Sequence, residues 1–208
     1  MSATDRQAHW QNVHTTKDEK AVSWFQDRPD TSLEFIAATG AQPDSAIVDI
    51  GGGASRLVDA LLDSGYSNLT VLDLSEAALA ASRNRIGPRA ASVKWLAVDV
   101  TTWQPTEQYD VWHDRAAFHF LTDENDRQAY VACLTAALRG GGQAIIGTFA
   151  LNGPERCSGL PVMRYDAASL AAVLGPRFRL LASRVEEHRT PWGASQIFQF
   201  SRFSFTHA

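Results

Sequence analysis

The stretch VDIGGGASRL, residues 48–57, sets three glycines directly after an apolar run and before a helical pattern. Glycine lets backbone amides approach a ligand and adopt conformations closed to other residues. Such a turn can hold a pyrophosphate, a bare phosphate or the amino-acid end of a sulfonium cofactor, or serve only as a tight strand-to-helix turn. Three acids stand at comparable places: Asp49 within this run, Asp73 at the end of NLTVLDL and Asp99 at the end of SVKWLAVDV. Asp73 lies about twenty residues beyond the glycines, a separation at which a carboxylate can take a ribose diol. A G-x-G-x-x-G turn would need its third glycine at position 56, where Arg56 is too bulky for close helix–strand packing. No Gly-Lys-Ser/Thr follows, so the phosphate-loop form fails as well.

To share one ligand, these acids must stand at the carboxyl ends of parallel strands. The apolar runs AIVDI, NLTVLDL, SVKWLAVDV, YDVWH and QAIIGTFA alternate with the helical segments SRLVDALLDSG, SEAALAASRNRIG and DENDRQAYVACLTAALRGGG. That alternation predicts βαβ units with right-handed crossovers. FRLLASRVEEH and SQIFQFSRFSF, joined by RTPWGA, read as a closing antiparallel hairpin. Residues 5–40 read as helical up to Gly40, with Asp30 or Thr31 capping a helix start at DTSLEF.

The chain of 208 residues carries a formal net charge of −4 with both signs spread along it. No basic block exists to meet a nucleic-acid backbone, so no such partner is expected. Cys133 and Cys157 are the only cysteines, far from zinc-ligand spacing and too few for a disulfide framework, so no metal is expected. The opening MSATDRQAHW is polar, and no apolar run reaches the roughly 18 residues of a membrane span. The expectation is a soluble cytoplasmic protein, monomeric or homodimeric, with a small-molecule acceptor and no membrane partner.

Asp49, Gly51 and Gly53, then Asp73 in VLDLS, Asp99 in AVDV and the run YDVWHDR, resemble in order the class I S-adenosylmethionine-dependent methyltransferases. The likeness covers about residues 45–150, with Ser55 where a further glycine is often expected. In that family the acid-x-Gly-x-Gly turn holds the methionine moiety, the second-strand acid binds both ribose hydroxyls, and the third-strand acid lies near the adenine. The resemblance implies an α/β fold: a Rossmann-like, seven-stranded, mostly parallel sheet with a C-terminal antiparallel hairpin and helices on both faces. It implies S-adenosyl-L-methionine as cofactor, S-adenosyl-L-homocysteine as product, and binding by Trp24, Asp49, Gly51, Gly53, Asp73, Leu74, Asp99, Val100 and His113. The competing account of the three acids is that they only cap helices. One domain is expected over 1–208: a helical lid (1–40), a cofactor-binding core (45–150), an active-site loop (151–165), then the last helix and closing hairpin (166–208).

After the fourth strand comes WHDRAAFHFL. Its Asp114-Arg115 is similar to the Asp-Arg-Gly element of thiopurine-type S-methyltransferases and the Asp-Lys-Gly element of a group of protein-lysine methyltransferases, with Ala116 replacing the glycine. By that likeness Asp114 faces the cofactor and Arg115 approaches the acceptor. Histidine has a reference pKa near neutrality, so His113 and His119 are candidate bases for a thiol proton, or else buried structural donors. These four residues are the catalytic candidates. Substrate contacts are expected from Trp10, Arg115 and Phe118, and from Cys157, Arg164 and Tyr165 on the loop NGPERCSGLPVMRYD, too long for a plain connector. Cys157 reads equally as a small packed thiol, and Cys133 as core. HWQNVHTTKDEKAVSWF is similar to the W-x-x-x-Y … W-F openings of the same group, with Val13-His14 at the tyrosine's place. Trp10 and Trp24 either cover the cofactor, their π-faces favouring a sulfonium, or pack into the core. The reaction expected first is S-methylation of a small thiol or sulfide. Its alternatives are protein-lysine N-methylation, which needs an exposed groove beside Asp114 and Arg115, carboxylate O-methylation with Arg115 or Arg164 as clamp, and cofactor binding without catalysis.

Overall fold

The computed structural model describes residues 3–206. In chain order, helices α1 (Ala3–Thr16) and α2 (Asp30–Ala37) precede an alternating series: β1 (Ile47–Ile50), α3 (Leu57–Asp63), β2 (Leu69–Asp73), α4 (Glu76–Ile86) and β3 (Val93–Ala97). Then come β4 (Tyr109–Arg115), α5 (Glu124–Ala137), β5 (Leu138–Phe149), a two-residue pair β6 (Arg156–Cys157) and β7 (Leu160–Pro161), α6 (Ala167–Leu174), β8 (Phe178–Arg189) and β9 (Ser195–Phe205). The main sheet has seven strands in the order β3-β2-β1-β4-β5-β9-β8. β1 to β5 pair in parallel, while β9 runs antiparallel to both β5 and β8. This is the expected Rossmann-like sheet with its closing hairpin. Strand order reverses between β1 and β4, where an open α/β sheet parts its crossovers and leaves a crevice.

Side-chain alternation along the strands sorts the core into two layers. Val48, Ile50, Trp112, Ala144 and Ile146 face one apolar cluster, which α5 completes with Tyr130, Leu134 and Ala137 on its helical stripe. Ile47, Val111, Ile145 and Phe149 face the other, against Phe35 and Ile36 of α2. Side-chain caps fix three helix starts: Ser75 accepts from the Ala78 amide, Asp123 from Asn125, and Asp166 forms a capping box with Ser169.

The N-terminal region is less helical between its two helices than the reading of residues 5–40 suggested. Residues 17–29 are irregular apart from one turn at Glu19–Ala21, started where the Asp18 carboxylate accepts the Lys20 amide at 2.8 Å. Neither Asp30 nor Thr31 caps α2. The cap position is Pro29, and Asp30 is instead bonded to Arg28. Asp99 likewise lies beyond β3, two residues past Ala97, in a turn where its carboxylate accepts the Thr101 amide and hydroxyl. β5 begins at Leu138 because the glycines at 140–142, read as a helix end, run on into the strand through an irregular register against β4. Among the described residues, no helix is long and apolar enough to cross a membrane, and no group of His, Cys, Asp and Glu suits a metal ion.

Candidate active site

A cleft opens along the carboxyl ends of β1, β2 and β4. Its two adjoining parts span about 790 and 670 Å³ with the open mouths included. His14, Trp24, Gly51, Asp73 and Arg115 line both parts.

The glycine turn forms the floor. Gly51 and Gly53 have φ of +66° and +34°, conformations that favour glycine. The amides of Gly51 and Gly52 both donate to the Leu72 carbonyl at the end of β2. Gly52, which the acid-x-Gly-x-Gly pattern passes over, is as constrained as its neighbours. A Cβ there would lie 2.5 Å from Asp49 Oδ2 and 2.8 Å from Val71. One at Gly53 would lie 2.6 Å from Asp73 Oδ2. The turn therefore needs glycine throughout, to seat the backbone between two buried carboxylates. Gly52→Val should cost at least about 1–3 kcal/mol by overpacking and displace Asp49. A lowered melting temperature with weakened cofactor binding is expected, and a variant normal in both would refute this account.

Asp73 is buried, with one oxygen accepting the Ser75 amide at 2.8 Å. Burial, with a smaller push from nearby Asp49, raises its carboxyl to about 7. A carboxyl so poorly compensated suits a ligand that brings hydroxyl donors. Asp99 is better satisfied: burial pushes it up, but hydrogen bonds from Arg6 and Thr101 outweigh this and hold it below the usual carboxylate range. Leu74 and Val100 line the same part of the cleft as Asp99.

β4 divides its functional candidates by parity. His113 and Arg115 emerge on the α2 face, Asp114 on the α5 face. His113 Nδ1 meets Asp49 Oδ1 at 2.7 Å and its Nε2 meets Ser32 Oγ at 2.9 Å, so both ring nitrogens are engaged. Asp114 does not face the cleft. It is buried beneath Tyr130, whose hydroxyl donates to it at 2.7 Å, and it accepts the Ala117 and Phe118 amides, holding the turn after β4. Burial raises it to about 6 despite these donors. Arg115 is on the cleft wall. Its Nη1 donates to the Trp24 carbonyl at 3.0 Å and its guanidinium lies 4.6 Å from the Phe198 ring centroid.

Several other candidates fall away from the cleft. His119 is fully buried, its Nδ1 accepting the Phe149 amide, and burial with nearby Arg115 lowers it to about 3, so it stays neutral. Phe118 packs on Tyr130 and Tyr165 in the core, and Tyr165 is itself buried. Arg164 turns to Glu155 and the Gly153 carbonyl. Cys157 lines the cleft, its thiol raised by burial. Cys133 packs in the core beside Leu134.

The N-terminal segment roofs the site. Trp10 packs edge-on to Trp24 and Phe120, with centroids 5.7 and 4.9 Å apart, and all three line the cleft. Arg6 pairs with Asp99 at 2.8 Å and Asp126 at 2.5 Å. Gln11 accepts from the Ser75 hydroxyl and the Ala77 amide. Glu19 receives Arg56 at 2.9 Å and Arg85 at 2.7 Å. Arg56, where a dinucleotide turn needs glycine, thus secures the roof. Arg6, Phe120 and Leu121 are cleft residues no sequence motif marked, and His14, at the tyrosine's place of the opening motif, lines the cleft as well.

Comparison with known proteins agrees with this geometry. The family model "Methyltransferase domain" matches residues 47–142. The eEF1A lysine and N-terminal methyltransferase of Danio rerio is 26% identical over 119 residues, covering 57% of this chain, which spans only 17% of that protein. Thiocyanate methyltransferase 1 of Arabidopsis thaliana is 26% identical over 178 residues, covering 84% of this chain and 76% of that protein. In fold, the chain is similar to the 1,6-didemethyltoxoflavin-N1-methyltransferase of Burkholderia thailandensis, solved with its substrate and S-adenosylhomocysteine: TM-score 0.70, 19% identity, 100% of this chain and 92% of that one. The methyltransferase-domain match over residues 47–142 and the seven-stranded sheet give the chain the fold of the class I S-adenosylmethionine-dependent methyltransferases. The glycine floor and the donor-poor Asp73 carboxyl fit S-adenosylmethionine as a ligand.

Proposed function

We propose that this chain is an S-adenosylmethionine-dependent methyltransferase that acts on a small molecule held beneath α1, with nitrogen as the acceptor atom. The observation that carries the reading is the roof: Trp10 packs on Trp24 and Phe120 over the cleft, and Arg115 is covered by the Trp24 carbonyl. A lysine on a folded protein would need an open groove at that point. Nitrogen is favoured over sulfur because relatives named for lysine and N-terminal methylation match more than half of the chain.

In this reading Asp49, the glycine turn, Asp73, Leu74, Asp99 and Val100 hold the cofactor, with His113 fixing Asp49 between β1 and α2. The bound cofactor supplies an electrophilic methyl group on a sulfonium. What the chain adds is alignment and exclusion of water, worth several kcal/mol of barrier. An amine must arrive uncharged, and neither histidine is free to take its proton. The Arg115 guanidinium, positively charged at the cleft wall, disfavours an ammonium, so the acceptor sheds its proton to solvent on entry.

A second reading, a sulfur or other soft anionic acceptor, draws on Arg115, whose charge favours an anion, and on the similarity to a thiocyanate methyltransferase. A screen with methyl-labelled cofactor across small amines, thiols, thiocyanate, carboxylic acids and folded proteins tests both. Label on small-molecule nitrogen is expected. Label only on sulfur would replace the first reading by the second, and label only on protein lysine would overturn both.

A further inference from the structure

Arginines on the cleft wall differ in one respect. Arg6 is paired with Asp99 and Asp126, and Arg56 with Glu19. Arg115 makes no ion pair among the described residues. It gives Nη1 to the Trp24 carbonyl, and its Nε and Nη2 have no partner although both atoms are sealed from solvent. Glu186 acts on it only from a distance, and burial lowers the guanidinium to about 10. Nε–H and Nη2–H form one planar edge of a guanidinium, two parallel donors with the spacing of a carboxylate's oxygens. The ring of Phe198 holds the plane in place. A buried cation with a whole bidentate edge unused is costly unless a ligand completes it.

We infer that the Nε–Nη2 edge of Arg115 is the anchor for a carboxylate on the methyl acceptor. The acceptor is then a small carboxylic acid whose apolar part lies against Trp10, Trp24 and Phe120. This rests on the small-molecule reading, and it adds what the molecule must carry. The carboxylate also offsets the paired positive charges of Arg115 and the sulfonium, which a neutral acceptor would leave facing each other.

Benzoate, benzamide and benzylamine share shape and differ in charge, so their affinities for the S-adenosylhomocysteine-loaded protein, measured by calorimetry, read the site directly. Benzoate is expected to bind at least about tenfold more tightly than either isostere. Arg115→Lys keeps the charge without the fork and should lose most of that preference. Arg115→Gln should lose all of it, with product binding measured alongside to show that each variant is folded. Equal affinity for the three probes in the parent protein, or a benzoate preference that survives in Arg115→Gln, would overturn the assignment. A benzoate preference in a protein that methylates only protein lysines would keep the anchor and refute the small-molecule reading. Methylation of small amines with no benzoate preference would do the reverse.

Discussion

Asp73→Ala is expected to weaken S-adenosylmethionine binding by more than about tenfold, because hydrogen bonds to a charged acceptor are worth about 1.5–3 kcal/mol each. The carboxyl is buried at the end of β2 and held near 7, so it is ionised only in part at neutral pH. Ribose hydroxyls bond best to the ionised form. Affinity should therefore climb with rising pH, by at most about tenfold per unit, and level off above the Asp73 pKa. Stability of the unliganded protein runs the other way. Its native state keeps a proton that the unfolded chain has already lost, so the Asp73 contribution falls as pH rises from the ordinary carboxylate range towards 7. Asp114, raised to about 6, adds a fall of the same sign but lines neither part of the cleft. Asp73→Asn should flatten the pH dependence of binding while leaving the Asp114 part of the stability profile. Calorimetry of the folded variants across this range decides it: unchanged affinity, or an unchanged slope, would remove Asp73 from the ribose site.

The strands were legible because each is an apolar β-branched run closed by an acid or a turn, and alternation with helices left one sheet topology to expect. The glycine turn and Asp73 were legible by spacing. Asp114 was not read correctly, yet the signal was present: a strand continuing to residue 115 places 113 and 115 on one face and 114 on the other. Motif likeness pointed Asp114 at the cofactor, and strand parity pointed it at Tyr130. The histidines illustrate a different loss. Their type suggests a base, but His113 is bridged by Asp49 and Ser32, residues distant in sequence, and no local pattern reveals such partners. Arg6 and Gln11 were missed for the same reason, since their partners at Asp99, Asp126 and Ser75 meet them only through the docking of α1.

Removing residues 1–28 is expected to lower turnover by at least about 10²-fold, since the segment supplies both the roof and part of the wall. Trp10, His14 and Trp24 leave with it, and so does the carbonyl that holds Arg115 Nη1. The buried members of both apolar clusters lie outside the deleted stretch, which meets the sheet through Trp24 and through polar contacts such as that of His188 with the Ser23 carbonyl, so the remaining chain should stay folded. Arg6→Ala tests the same roof within the full chain. It leaves Asp99 buried without its cation, at a cost of order 3 kcal/mol, and removes the tie to Asp126. Opening α1 is the cheapest relief, because water then reaches the carboxylate. Tryptophan fluorescence should consequently respond to the cofactor in the parent protein and respond less in Arg6→Ala, with faster cofactor release. A truncated protein with normal turnover would show that strand ends alone perform the reaction. If instead truncation abolishes turnover while Arg6→Ala releases cofactor at the parent rate, the aromatic packing of Trp10 on Trp24 and Phe120 holds the roof, and the buried ion pair only sets where α1 begins.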